Sequence, residues 1–228
     1  MIKAILFDFG YTITSGFKNR DKKINKILAP FGLNWRKLLP LWRNLYILRS
    51  AGKIKSDKEL EFLMRRITKK EIPVKKIIEF TIENHFIPKE NVEIIKKLKK
   101  EYKIGILSNN VQGWVMPILK NYKINDLFDV VIISSKIGAR KPDGVIYYEA
   151  LKKLSIRADQ AVFIADELSE DLVAATGLRM RTIWLKNKKK GWWRKNDEKV
   201  LKIYKPDAII KSLREVASVV KNLKNHEN

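Results

Sequence analysis

"ILFDFGYTIT", residues 5–14, joins an unbroken apolar run to a single carboxylate, Asp8, with Gly10 two positions on. A run apolar on every residue suits a parallel strand covered on both faces, whereas a half-exposed strand would alternate. Two further runs end in polar residues in the same way, "YKIGILSNN" (102–110) and "AVFIADE" (161–167). The shorter stretches "DVVIISS" (129–135) and "RTIWL" (181–185) complete five expected strands. Helical spacing falls between and after them, in "NVEIIKKLKKEY" (91–102), "GVIYYEALKKL" (144–154) and "EDLVAATGL" (170–178), and "DAIIKSLREV" (207–216) reads as a final helix region. Such alternation predicts an α/β fold, a three-layer doubly wound parallel sheet. Ligands of such sheets lie at the carboxyl ends of the strands, where Asp8, Ser108 and Asp166 all fall.

About ninety residues separate the first apolar run from the second, far more than one crossover requires. Residues 15–85 read as an inserted helical unit. "RDKKINKILAPFG", "WRKLLPLWRNLYILRSAG", "SDKELEFLMRRI" and "VKKIIEFTIENHF" repeat apolar residues at three and four, with Ser56 as an N-cap and Gly52 as a stop. The expected organisation is an α/β core of residues 1–14 and 86–228 with an all-helical cap of residues 15–85. The tail "KNHEN" is expected to fray.

Composition narrows the chemistry. At 228 residues and 45% hydrophobic the chain can bury a substantial core. No apolar stretch reaches the roughly 20 residues of a membrane helix, and the start lacks a basic flank before a small-residue cleavage site, so a cytoplasmic enzyme is expected. With no cysteine there is no disulfide, no thiol nucleophile and no thiolate metal site. The two histidines, His85 and His226, fall in the cap and the tail, which leaves neither a histidine triad nor a zinc site. Lys and Arg number 48 against 25 Asp and Glu, a surplus that attracts polyanions but is spread along the polar faces of amphipathic helices, as biased composition would leave it. The one local concentration is the basic segment 186–195 with Trp192 and Trp193, in "KNKKKGWWRKNDEKVLKIYKPD". Lysines on phosphates and stacked tryptophans would suit nucleic acid or a lipid interface, but no recognised nucleic-acid motif accompanies them, and a solvated loop is the preferred reading.

Singly, Asp8 is a strand-end carboxylate, Ser108 a turn residue and Lys141 a loop cation. In order they form a pattern: Asp8 to Thr12 after one strand, Ser108 after another, "RKPDG" with Lys141, and "ADELSED" with Asp166 and Asp171. That order and spacing resemble the haloacid dehalogenase-like (HAD) hydrolase superfamily over nearly the whole chain. "LFDVVIISSKIGARKPDGVIYYEALKKL", "VFIADELSEDLVAATGLRMRTIWL" and the cap segment "AGKIKSDKELEFL" are similar to its phosphatase-containing branch, which has a Rossmann-like core and a helical cap between its first two motifs.

Each residue has a physical role in such a reaction. An aspartate can attack phosphorus to form an aspartyl phosphate, splitting hydrolysis into two displacements. Asp8 is the expected nucleophile. Because nucleophile and phosphate are both anions, a magnesium ion is expected between them, held by Asp8, the Gly10 carbonyl and Asp166. Asp171 could reach that metal through water or hold Lys141. Ser108 and the Asn109 amide would donate to phosphoryl oxygens, Lys141 would neutralise charge, and Thr12 would fix the loop.

Most phosphatases of this family carry a second aspartate where this chain has Gly10, and that group protonates the leaving alcohol. Its loss should slow hydrolysis of alkyl phosphates, because a positioned acid contributes about 10²- to 10⁴-fold. Tyr11, Glu167, a cap residue or water are the candidate substitutes. The main expectation is a magnesium-dependent phosphatase acting on a small phosphorylated metabolite. Two alternatives stay open, a 2-haloacid dehalogenase using Asp8 on carbon and a non-catalytic binding protein of the same fold. In the cap, Trp42, Arg43, Arg49 and Lys53 are candidates to face the substrate, against a plain surface or core role.

Overall fold

The protein is described by a computed structural model covering residues 1–16, 19–186 and 197–225. Almost all of the basic segment 186–195, with both of its tryptophans, and His226 lie outside the described residues. Six strands form one parallel sheet: β1 Ala4–Phe7, β2 Lys103–Ser108, β3 Val130–Ile133, β4 Ala161–Ala165, β5 Arg181–Leu185 and β6 Ala208–Ile210. Their order is β3-β2-β1-β4-β5-β6. β1 is therefore central, with Phe7 level with Ile106 of β2 on one side and Ile164 of β4 on the other. Strands run both ways from β1, so the crevice at its carboxyl end is the place where such a sheet opens to a ligand.

Alternation along the strands builds the three layers. Ile5 and Phe7 join one buried cluster with Ile104, Ile106, Val162 and Ile164, while Ala4 and Leu6 join the cluster on the other face with Phe163 and Trp184. The first face is covered by α5 (Lys89–Leu98), α6 (Gln112–Asn121) and α11 (Val216–Asn225), the second by α8 (Gly144–Leu154) and α9 (Val173–Gly177). Two short helices, α7 (Ser134–Ile137) and α10 (Asp197–Leu201), lie in connections.

The sixth strand corrects the expectation of five. Ala208–Ile210 falls inside the expected helix region 207–216, but the Asp207 carboxylate accepts from Thr182 N at 2.8 Å and from Arg181 at 2.9 Å, fastening the segment to the edge of β5. Three residues are too few for periodicity to distinguish strand from helix. The helix begins only after Ser212, whose side chain and that of Glu215 form a capping box.

Between β1 and β2 stand α1 (Arg20–Leu28), α2 (Trp35–Ser50), α3 (Asp57–Thr68) and α4 (Val74–Glu83). They share a third cluster, including Ile24, Leu28, Leu60, Met64 and Ile77, into which Val111 and Trp114 of the α6 region also pack. Ser56 caps α3 by accepting from Glu59 N, and Gly52 takes φ +70° just past α2. The chain leaves and returns through neighbouring segments: Ser15 N donates to Phe86 O at 2.9 Å in an antiparallel bridge. Beside it His85 stacks on Phe9 and its Nε2 lies 3.2 Å from Thr14 Oγ1.

Candidate functional site

Asp8 is the first residue past β1, and its N–H donates to Ile164 O at 2.9 Å, so β4 fixes the backbone that carries the carboxylate. Ser108 ends β2 and Asp166 follows β4, on the two strands that flank β1, and both are buried. Asp166 is held by its backbone from two directions: its N–H donates to Thr12 Oγ1 at 3.1 Å and its carbonyl accepts from Trp184 Nε1 at 3.0 Å. Thr12 thus ties the β1 loop to the β4 tip.

Lys141 arrives from the loop before α8 and is only 3% exposed. Its ammonium donates to Asp8 Oδ1 at 2.7 Å and to Asp171 Oδ2 at 2.6 Å, and lies 5.2 Å from the centre of the Phe163 ring. Burial alone would lower the pKa of this ammonium; Asp171 and Asp8 outweigh burial and hold it above the ordinary lysine value. Burial pushes the Asp171 carboxyl up, and Lys141 opposes the rise. Of the two roles left open for Asp171, holding Lys141 is the one visible in the geometry. Its backbone carbonyl is in turn held by the Tyr147 hydroxyl at 2.8 Å.

Asn109 stands beside Lys141, but its amide is engaged with the protein. Oδ1 accepts from Lys141 N at 2.8 Å, and Nδ2 donates to Lys141 O at 2.9 Å. It braces the lysine loop, a use the sequence reading did not foresee. Glu167 is also occupied: its carboxylate accepts from the N–H groups of Ser169, Glu170 and Asp171 and so caps the turn 168–172. That employment removes it as a ready substitute for an acid at Gly10.

The Gly10 position is open. Its φ of −72° and ψ of 125° suit any residue. A Cβ there would meet only Asp8 Oδ2, at 4.0 Å. Neither backbone geometry nor crowding requires glycine.

Oxygen donors make the cluster suited to a hard divalent cation: carboxylates of Asp8 and Asp166 and the carbonyl of Gly10, with more carboxylate than ammonium in the group. Among the described residues no set of three His, Cys, Asp or Glu side chains is grouped as metal ligands.

Two residues outside the sequence-derived candidates connect the inserted helices to this site. Tyr46 of α2 donates to Asn109 O at 2.9 Å and stacks on Trp114. Burial pushes its phenol up to about 12. One turn later Ser50, fully buried, accepts from Arg140 through its hydroxyl and from Ser134 Oγ through its carbonyl, the latter at 2.6 Å. Trp42, Tyr46 and Ser50 recur every four residues, one helical stripe that the sequence does display. Of the cap candidates singled out instead, Arg49 pairs with Asp57 at 2.9 Å, Trp42 packs between Trp35 and Trp114, and Lys53 is exposed.

Residues 5–185 match the family model described as haloacid dehalogenase-like hydrolase. A glyceraldehyde 3-phosphate phosphatase of Methanothermobacter thermautotrophicus is 25% identical over 196 residues, 80% of this chain and 85% of the relative. A HAD-family enzyme of Bacteroides thetaiotaomicron, solved with magnesium and inorganic phosphate, superposes with a TM-score of 0.69 at 20% identity, covering 84% of this chain and 98% of that one. A 2-haloacid dehalogenase of Pseudomonas syringae superposes with a TM-score of 0.71 at 20% identity, covering 98% and 100%. At that identity the likeness concerns the fold, and both reactions occur on it.

Proposed function

The chain belongs to the haloacid dehalogenase-like hydrolases, and from that premise we propose that it is a magnesium-dependent phosphatase of a small phosphorylated metabolite, working through an aspartyl phosphate on Asp8. The observation that carries this reading is Lys141 bridging Asp8 and Asp171 at 2.7 and 2.6 Å. A buried ammonium held against the nucleophile neutralises the anion that must approach it. The relative named glyceraldehyde 3-phosphate phosphatase supports phosphoryl over halide chemistry, and the acidic oxygens of Asp8 and Asp166 favour a metal-using site over metal-free attack on carbon.

In this mechanism one Asp8 oxygen attacks phosphorus while Lys141, on Oδ1, limits repulsion between the anions. Ser108 donates to a phosphoryl oxygen from the tip of β2. Asp8, the Gly10 carbonyl and Asp166 would hold magnesium, which supplies charge neutralisation and a template for in-line displacement. Asp171 fixes Lys141, and Asn109 fixes the loop that carries it. Residues 15–85 act as a cap on a core of residues 1–14 and 86–228, excluding water from the first displacement and admitting it for the second.

Hydrolysis of p-nitrophenyl phosphate provides the test. Turnover that needs Mg²⁺ and is lost in Asp8→Asn supports the phosphatase. Metal-free halide release from a 2-haloacid would replace it with a dehalogenase, and silence in both assays would leave a binding protein.

A further inference from the structure

The strand tips of the site are fastened in two different ways. Asp8 and Asp166 are fixed from within the α/β core: the Asp8 N–H donates to Ile164 O at 2.9 Å, and the Asp166 backbone is held by Thr12 at 3.1 Å and by Trp184 at 3.0 Å. These two carry the nucleophile and the carboxylates that would hold the metal. Ser108 and Lys141, read above as the residues that meet the phosphoryl group, stand on the tip of β2 and on the loop between α7 and α8. That second group is fastened to α2, a helix of the insert.

Two residues one turn apart on α2 make the attachments. The Tyr46 hydroxyl donates to Asn109 O at 2.9 Å, one residue past Ser108. Ser50 accepts from Ser134 Oγ through its carbonyl at 2.6 Å, directly after β3, and from the Arg140 guanidinium through its hydroxyl. Just past the helix the Gly52 backbone comes so near α7 that a Cβ would stand 2.8 Å from Ser135 O, and Ser135 N donates back to Asn110 O at 3.2 Å. Lys141 lies between the two anchored points. Arg140 precedes it in the chain, and Asn109 brackets its peptide groups at 2.8 and 2.9 Å. Its ammonium then reaches Asp8 at 2.7 Å, the distance at which a small displacement of the loop costs most.

We propose that Tyr46 and Ser50 are positioning residues for the phosphate-binding half of the site: through Asn109 and Arg140 they set where Ser108 and Lys141 stand relative to Asp8, while the metal-binding half takes its position from β4 and Thr12. This rests on the phosphatase reading for what each half binds, and goes beyond it in giving the halves separate supports. Neither residue acts on substrate itself. Each works through the tip that it holds, so disturbing α2 weakens phosphate binding and slows turnover while the affinity for a divalent cation stays as it was. Tyr46→Phe isolates the tether, because the ring that stacks on Trp114 at 5.7 Å is retained and only the hydroxyl is lost. Ser50→Ala likewise removes the acceptor of Arg140 and keeps the carbonyl that receives Ser134.

The experiment measures three quantities on the full chain: kcat for p-nitrophenyl phosphate, Kd for inorganic phosphate at saturating Mg²⁺, and Kd for Mg²⁺ without phosphate by calorimetric titration. Tyr46→Phe and Ser50→Ala should each lower kcat and weaken phosphate by about 10-fold, with Mg²⁺ affinity held within about twofold. Asn34→Ala is the control. Asn34 caps the start of the same helix by accepting from Arg36 N at 2.9 Å, so its loss weakens α2 without releasing a strand tip, and all three quantities should match the parent. If Asn34→Ala reproduces the losses, the effect is helix stability and the inference is overturned. Mg²⁺ affinity falling in step with phosphate affinity overturns it too, as do unchanged phosphate affinity and kcat in both tether variants. A parent that binds phosphate yet shows no Asp8-dependent turnover ends the phosphatase reading, and the affinities then decide the inference by themselves. A parent that binds no phosphate sinks both.

Discussion

Asn109 and Lys141 exchange two hydrogen bonds, side-chain amide against main-chain peptide, at 2.8 and 2.9 Å. The pair locks the lysine loop to the tip of β2, and Tyr46 grips the Asn109 carbonyl from the inserted helices at 2.9 Å. Asn109→Ala leaves both Lys141 peptide groups without that partner. About 1–3 kcal/mol of stability should be lost, with kcat falling about 10- to 100-fold because the ammonium is no longer held in register with Asp8. Denaturant titration and steady-state kinetics on one preparation check both. A fall in stability with kcat unchanged would make the amide pair purely structural.

Gly52 follows α2 at φ +70°, and a Cβ there would stand 2.8 Å from the Ser135 carbonyl oxygen. Gly32 has φ +62° with nothing within 4 Å. Gly32→Ala should therefore cost about 1 kcal/mol, from backbone strain alone. Gly52→Ala should cost about 2–4 kcal/mol, because strain and collision add. Equal losses in urea melts would mean that the approach of the α2 end to α7 is looser than the distance implies.

Burial pushes the His85 imidazole down to about 4 from an ordinary value of 6.5. The unfolded chain then binds the proton more readily than the folded one, so stability rises with pH between these values. Full stability lies above pH 6.5. It declines as pH falls toward 4 and this contribution levels off below, amounting to roughly 3 kcal/mol at 1.36 kcal/mol per unit. His85→Gln should flatten the stability profile between pH 6.5 and 4 relative to the parent, isolating this group from carboxylates that titrate nearby. Parallel profiles would refute the assignment.

Gly10→Asp places a carboxyl within side-chain reach of Asp8 Oδ2, at a position whose backbone already accepts it. Turnover of alkyl phosphates should rise by about 10²-fold, while aryl phosphates, whose leaving groups need little help, change far less. The quantity to follow is the alkyl-to-aryl ratio of kcat. A constant ratio would show that the proton is supplied from elsewhere.

The sheet and its strand tips were legible because apolar runs on β1, β2 and β4 are continuous, and Asp8, Ser108 and Asp166 follow from where those runs stop. Helices α1 to α4 were legible through spacing and through Ser56. β6 was not, since three residues carry no period and the fastening by Asp207 depends on a contact with Thr182 that sequence order hides. Tyr46, Ser50 and the bracing role of Asn109 were missed for the same reason: each is defined by a partner from 32 to 90 positions away. Charged side chains drew attention to Arg49 and Lys53, whereas the residues of α2 that touch the site are an aromatic and a hydroxyl.

The paired crossing at Ser15 and Phe86 makes the four-helix insert a plug-in module. Both of its leads emerge side by side, so replacing everything between them need not shift the register of a single strand. Under the function proposed above, selectivity would be re-specified through the module with the strand-tip residues left in place, provided any replacement again supplies anchors for the Asn109 carbonyl and for Arg140.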